Sequence, residues 1–318
     1  MWRVGIDEAG YGPNLGPLVL ACTACHVPDD TPADLWGVLA AAVRKKVGRD
    51  DGRLLIDDSK KVHQGVTGNA KLERGVLAMI GQTGALPTTL AELLDHRAVG
   101  DSIIELLEEP WYQSTMPIGV FDEAAKITTA VNAFGEVCRA ANVTWFAPRM
   151  MVIPTPRFNN LLDQLDLKSE VLIDGIKRLF ATVLTLPGTD PVRVAVDRLG
   201  GRTFYAPLLQ EVFKDGYVRI VQESAEMCEY TIYGLSREIH FSFQPRADGE
   251  HMNVALASML AKYLREVFMT QFNAHWSTHV PGVKPTAGYP VDAARFLNDI
   301  RDVMEQRAIP MRKVWRRK

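Results

Sequence analysis

The sequence predicts an α/β protein built on a mixed sheet, and three observations predict it. Trp2, Val4 and Ile6 alternate with Arg3, Gly5 and Asp7, the period of a half-buried strand. Val192, Val194 and Val196 alternate in the same way with Arg193, Ala195 and Asp197. Residues 250–272 place Val254, Ala257, Ala261, Leu264 and Phe268 on one helical stripe, and several of these are small enough for close packing on a sheet. Strands interleaved with helices give the α/β class, and 318 residues suffice for one or two domains with a large core.

The remaining elements follow in chain order. Residues 17–25 read as a second, mostly buried strand. Residues 31–47 have helical spacing. Residues 54–58 are a short apolar run that closes in a polar loop, Asp57-Asp58-Ser59-Lys60-Lys61. From 65 to 142 the pattern is mostly helical, with helices predicted over 71–80, 90–97, 102–107 and 124–141, broken by glycine and proline. Strand character returns over 143–153. Helices are predicted over 157–165 and 169–184, and strands over 217–222, 228–233 and 238–243. A last helix covers 291–307.

Composition narrows the function classes. Apolar content of 47% and charged content of 23% are ordinary for a globular protein. A formal net charge of −2 gives no global field that would announce a nucleic-acid binder. Five of the last seven residues are nevertheless basic: Arg312, Lys313, Arg316, Arg317 and Lys318. Such a tail is either a solvated, disordered end or a phosphate contact with Trp315 as its apolar anchor. No apolar run reaches the length of a membrane span, and the Asp7-Glu8 pair interrupts any signal-like stretch. A cytoplasmic, monomeric protein with no membrane association is therefore expected. Cys22 and Cys25 form a CxxC, but strand spacing puts them on opposite faces, so buried thiols are expected rather than a zinc or redox site. His275 and His279 are expected on the surface beyond the end of the long helix.

The chemistry lies in the carboxylates. Asp7 and Glu8 close the first strand and are followed at once by Gly10, Gly12 and Gly16, which let a ligand or another backbone come close. Asp197 closes a strand of the same parity. Asp248 stands just before the small-residue helix, where a plain helix cap is the bland alternative. Taken together, four carboxylates gathered in one place would repel one another unless divalent cations offset the charge. Two Mg²⁺ or Mn²⁺ ions about 3.5–4 Å apart could then serve phosphodiester chemistry without histidine or cysteine.

At this point the residues resemble a known family. Residues 7–19, Asp-Glu-Ala-Gly-Tyr-Gly-Pro-Asn-Leu-Gly-Pro-Leu-Val, look like the opening motif of ribonuclease HII, the type 2 ribonucleases H. Asp58-Ser59-Lys60-Lys61, the strand ending in Asp197, Arg246-Ala247-Asp248, the block from Ala255 to Lys262, and Gly288-Tyr289-Pro290 are similar to its further blocks, in the same order. The resemblance implies a ribonuclease H-like fold with a mixed central sheet flanked by helices and a helical C-terminal part. Residues 1–318 would form one catalytic domain, with a mostly helical insertion over 65–142 and a basic, substrate-binding part over 275–318. It implies two-metal hydrolysis of the RNA strand of an RNA–DNA hybrid, or at ribonucleotides embedded in a DNA duplex, giving 5′-phosphate products.

Under the resemblance, Asp7, Glu8, Asp197 and Asp248 hold the metals and are catalytic. Gly10, Tyr11 and Gly12 form the loop that senses the ribose 2′-hydroxyl, and Tyr289 completes that recognition. Lys60, Lys61 and Lys262 lie beside phosphates, although Lys262 could equally partner a neighbouring acid. The family's loop carries arginine where this chain has Tyr11, so a cationic phosphate contact is lost. Two further readings stand beside this one. One is a nucleic-acid-binding protein that keeps the fold with weak or altered nuclease activity. The other is a related nuclease for junctions or DNA.

Overall fold

The computed structural model describes residues 1–46, 48, 51–100, 102–200 and 202–317. Strand β1 (Trp2–Ala9) turns back through a glycine loop into β2 (Leu18–His26). The segment expected to be one helix over 31–47 is a single turn, α1 (Leu35–Val38), followed by β3 (Val43–Arg44); Val47 lies outside the described residues. The reason is local. Val43 and Arg44 extend to pair in parallel with β4 (Leu54–Leu55), and the Trp36 indole donates to the carbonyl of Ile56 at 2.7 Å. The predicted polar loop after β4 contains a short helix, α2 (Ser59–Val62), because the Asp58 side chain accepts from the Lys60 amide at 2.8 Å and caps it.

The 65–142 segment is helical as predicted, with α3 (Gly68–Ile80), α4 (Leu90–Leu94), α5 (Ser102–Leu107) and α6 (Ala124–Ala140). It is not peripheral. Leu72, Val76, Phe134 and their neighbours share one apolar core with β2 and the long C-terminal helix. Glu73 is fully buried and accepts from the amides of Gly119, Val120, Phe121 and Asp122 at 2.7–3.2 Å, and from the Tyr263 hydroxyl at 2.8 Å. One carboxylate thus organises the turn between α5 and α6.

Strand β5 (Thr144–Ile153) is followed by α7 (Thr155–Leu165), α8 (Lys168–Ala181) and a 3₁₀ turn (Thr182–Thr185). Then come β6 (Val192–Asp197), α9 (Ala206–Val212), β7 (Tyr217–Glu223), β8 (Cys228–Tyr233) and β9 (Ile239–Gln244). The chain closes with α10 (Ala247–Glu250), α11 (Met252–His279), α12 (Pro290–Gln306) and α13 (Met311–Val314). The sequence pattern misses α9, a short helix whose buried Leu208 and Leu209 are adjacent rather than periodically spaced. It also ends α11 too early: His275 and His279 form its last turn, with their rings stacked at 4.5 Å.

The sheet runs β5-β2-β1-β6-β9-β8-β7. β1 is antiparallel to β2 and parallel to β6, which is parallel to β9, so the sheet is mixed as expected. Its two faces bury separate cores. Trp2, Val4, Ile6 and the three valines of β6 meet α7, α8 and α9 on one side. Val19, Ala21, Met150 and Val152 meet α11, α3 and α6 on the other. Cys22 and Cys25 belong to opposite cores, and burial pushes each thiol up to about 12. No helix among the described residues is long and apolar enough to cross a membrane.

Helix α11 lies directly on β1, and Gly5 is where they touch. A Cβ at Gly5 would stand 2.2 Å from the backbone carbon of Asn253 and the amide nitrogen of Val254. Asn253 secures the contact by donating to the Arg3 carbonyl at 3.1 Å while its own carbonyl accepts from Thr23 at 2.8 Å. Gly5→Ala must push the helix off the strand. Overpacking of this kind costs about 1–3 kcal/mol or more, and a denaturant midpoint lowered by that amount, with unchanged slope, is the expected result.

Candidate active site

Parallel pairing of β1 with β6 ends at Ile6 opposite Val196, so the next residues, Asp7 and Asp197, stand side by side just past that pairing, each still paired on its other side, Asp7 with Ala21 of β2 and Asp197 with Gln244 of β9. Both acids lie on the face away from the valines, as their parity predicts. Asp7 is buried, while Glu8 and Asp197 are partly exposed. The Glu8 amide donates to Asp7 Oδ1 at 2.8 Å, and the Arg198 amide to Asp197 Oδ1 at 3.0 Å. The chain then returns from β9 through Arg246, whose φ of 60° lies in the left-handed region that non-glycine residues seldom occupy. That turn points the Ala247 amide at Asp197 Oδ1, 3.3 Å away, and carries Asp248 to the same place. Asp248 therefore sits in its own short helix, α10, ahead of α11, and is not the cap of the long helix that the bland alternative would make it.

Burial and neighbouring charge raise three of these acids, with Glu8 and Asp197 acting on Asp7, Asp197 on Glu8, and Asp58 and Asp197 on Asp248. Burial, then the charge of Glu8, hold Asp7 well above the usual carboxylate range, with Asp197 adding to the push and a hydrogen bond from Ser258 opposing it. Burial, then Asp197, raise Glu8, and nearby Lys60 opposes them. Asp248 is pushed up to about 6 by burial, by Asp58 and by Asp197, with Lys61 opposing. Asp7, Glu8, Asp197 and Asp248 are thus brought together, and hard oxygen donors of this kind suit a divalent cation. Among the described residues, however, no three histidine, cysteine, aspartate or glutamate side chains are gathered tightly enough to hold a metal ion as they stand.

The basic residues divide. Lys60 is exposed on α2, and Lys61 pairs with Asp57 at 3.1 Å. Lys262 pairs with Glu266 four residues on, the structural alternative of the two readings, and is not directed at the four acids by any ion pair. Ser59 and Ser258, joined at 2.9 Å, link α2 to α11 beneath Asp7. Asp58 belongs to the acid field, and its adjacency to the basic pair was the signal that could have added it.

The glycine loop is held as one piece with residues 287–289. The amides of Asn14 and Leu15 donate to the Gly288 carbonyl at 2.8 and 3.3 Å. Gly10 and Gly288 have φ of 92° and 83°, and at each a Cβ would stand 2.6–2.7 Å from a backbone oxygen, so both require glycine. Tyr289 is half exposed and lies against Gly12. The Tyr11 ring borders a cleft of about 490 Å³ with Leu172, Ile173, Leu199 and Phe204. The Lys168 ammonium stands 4.8 Å from the Tyr11 ring centroid, so a cation adjoins the position where the resembling family carries arginine.

Sequence reasoning missed two arginines. Arg265 is buried within α11 and donates to the carbonyls of Pro17, Leu15 and Ala287 at 2.8–3.1 Å. Arg316, from the tail read as solvated or phosphate-binding, is 1% exposed and donates to the carbonyls of Gly10 and Pro13. The first carried a signal, a lone arginine inside an apolar helical stripe. The second carried none, because a basic cluster reads as surface. Lys318 lies outside the described residues.

This mixed seven-stranded sheet, with helices on both faces and a helical C-terminal part, fits a ribonuclease H-like α/β fold. No family model matches the chain, and no curated protein matches it. Among solved structures it is similar to a chain of the PCNA:RNase HII complex from Archaeoglobus fulgidus, at 13% identity and a TM-score of 0.45, covering 99% of this chain and 93% of that one. It is similar to ribonuclease H2 from Pyrococcus horikoshii OT3 at 13% identity and a TM-score of 0.45, over 99% and 92% of the two chains. It is also similar to Bst-RNase HIII in complex with Mn²⁺ at 15% identity and a TM-score of 0.36, over 94% and 62%.

The acid field has a consequence for stability in chelator-containing buffer. A carboxyl whose folded pKa is raised favours folding below its unfolded value, near 4, and that contribution is lost as pH rises through about 6. Asp248→Asn is therefore expected to be more stable than the native chain at pH 7, with the advantage fading as pH falls toward 4. The gain should be on the order of 1 kcal/mol once the shift is discounted for solvent screening of a partly exposed group. Urea titrations at pH 4, 5.5 and 7 would read it, and an advantage that grows toward low pH would contradict it.

Proposed function

We propose that the protein is a divalent-metal-dependent endonuclease. It hydrolyses the RNA strand of RNA–DNA hybrids, including ribonucleotides embedded in a DNA duplex, and leaves 5′-phosphate products. The observation that carries this reading is the gathering of Asp7, Glu8, Asp197 and Asp248 where the pairing of β1 with β6 ends, with Ala247 of the Asp248 turn bonded to Asp197. Mutual repulsion destabilises their ionised forms, and bound cations would reverse that cost. Asp7, Glu8, Asp197 and Asp248 would hold two Mg²⁺ or Mn²⁺ ions. When bound, such ions supply an activated water and stabilise charge on the leaving oxygen of a phosphodiester.

The chain's own residues do the rest. The backbone of Gly10, Tyr11 and Gly12, with Tyr289 beside it, receives a ribose, and the 2′-hydroxyl is the group that separates RNA from DNA. Exposed Lys60 and Lys61 on α2 are available to phosphate oxygens next to the acids. Lys262 serves by holding Glu266 rather than by touching substrate.

The test is cleavage of a labelled RNA–DNA hybrid. Oligoribonucleotides with 5′-phosphate ends are expected in Mg²⁺ or Mn²⁺, and none in EDTA. Asp7→Asn should lower the rate more than about a hundredfold, since altering even the partners of metal ligands costs 10–100-fold. Unchanged activity in that variant would sink the mechanism. Cleavage of DNA lacking ribose would contradict the substrate. Tight hybrid binding without turnover in any divalent metal would favour the alternative of a binding protein with weak or altered nuclease activity.

A further inference from the structure

We infer that residues 314–317 form a strap that sets the conformation of the 10–15 loop, with Arg316 as its positioning residue. The functional half of this inference rests on the reading of that loop as the ribose-binding element.

The argument begins with burial. A guanidinium this deeply enclosed is costly unless its donors are answered. Arg316 is answered through one nitrogen: Nη2 donates to two carbonyls of the loop, Gly10 at 2.5 Å and Pro13, while Nε and Nη1 have no hydrogen-bond partner among the described residues and the flat face rests 4.9 Å from the centroid of the Phe158 ring. The main chains are joined as well. The Arg316 amide donates to the Asn14 carbonyl at 2.8 Å, and the Asn14 side chain donates to the Arg316 carbonyl at 2.9 Å. These four contacts bridge some three hundred residues of sequence to meet at one small loop.

The strap is in turn pinned from behind. Asn159 of α7 is fully buried. Its amide group donates to the carbonyls of Arg312 and Trp315 at 2.9 Å each, and its oxygen accepts from the Arg317 amide at 3.0 Å. Arg317 pairs with Asp163 on the same helix. The loop is therefore clamped between two guanidiniums: Arg316 holds Gly10 and Pro13, and Arg265 holds Leu15 and Pro17.

The clamp fixes what the loop presents. In a trans peptide the N–H points opposite to the C=O. With the Gly10 carbonyl turned onto Arg316, the Tyr11 amide must point away from the strap. That amide has no hydrogen-bond partner among the described residues. A donor held outward in a loop that tolerates no side chain at Gly10 is what recognition of a sugar hydroxyl requires. The acids of β1 and β6 do not touch the strap, so orientation of the sugar and metal binding depend on separate supports.

The experiment compares Arg316→Ala, Arg316→Lys and Asn159→Ala with the native chain. Amide hydrogen exchange over residues 10–16 is expected to quicken at least about tenfold in Arg316→Ala, as local opening replaces a clamped loop, with β1 and β6 unchanged. On an RNA–DNA hybrid, kcat/KM should fall about a hundredfold, the cost of a displacement on the order of 1 Å at a positioning element. Mg²⁺ affinity by calorimetry should stay within about twofold, because the acids keep their own supports. Arg316→Lys should restore part of the loss, and Asn159→Ala, which unpins the strap without emptying the charge site, should reproduce it in weaker form. Unchanged loop exchange in a folded Arg316→Ala, or in Asn159→Ala should the former not fold, would overturn the strap. A loosened loop with undiminished hybrid cleavage would keep the strap but remove the loop from ribose recognition. A native chain that cleaves no hybrid would count against the nuclease reading alone, while the exchange data would still decide the strap.

Discussion

A helix can lie on a strand at backbone distance only where the strand has no side chain beneath it. Gly5 is that place, and much of the structure follows from it. With α11 seated on β1, Ser258 reaches Asp7, Ser59 reaches Ser258, and α2 is drawn in with its lysines. Further along the same helix, Tyr263 meets Glu73 and Arg265 meets the glycine loop. One helix therefore indexes the acids, the basic turn and the loop against a single strand. The small residues of its sheet-facing stripe are what allow the approach.

The interior polar groups fall into two kinds. Glu73, Arg265 and Arg316 are buried groups bonded to the backbone, four amides for the acid and five carbonyls for the two bases, Arg316 through its Nη2 alone. Such arrangements fix loops that carry little apolar side chain of their own. Asp7, Glu8 and Asp248 are the reverse case, held where burial and like charge both oppose ionisation. Backbone-bonded charge helps build the frame, and like charges are gathered where the pairing of β1 with β6 ends. Groups held against ionisation in this way are the kind that functional sites gather.

Much of this was legible in the sequence because it rests on periodicity. The alternation in Trp2–Ala9 and Val192–Asp197 gave both the strands and the facing of Asp7 and Asp197. The small-residue stripe gave α11, though not its last turn at His275 and His279. What stayed hidden depends on contacts distant in sequence. Residues 35–44 became a turn and a strand because β4 was there to pair with them. Arg316 of the tail became buried because Asn14 and Asn159 offer the backbone around it partners that no local pattern could disclose. Charged residues mislead in this way whenever carbonyls, rather than water, receive them.

The long reach of the strap also has a meaning in time. Gly10 is made early and Arg316 some three hundred residues later, and strand β1 likewise waits for β6 before it gains its parallel neighbour. Contacts of such sequence separation form late, since the closure entropy must be met before they contribute. A nascent chain would carry its acid pair and glycine loop through most of synthesis with neither in working order. Whatever chemistry this edge performs is thereby withheld until the whole chain has been threaded into place.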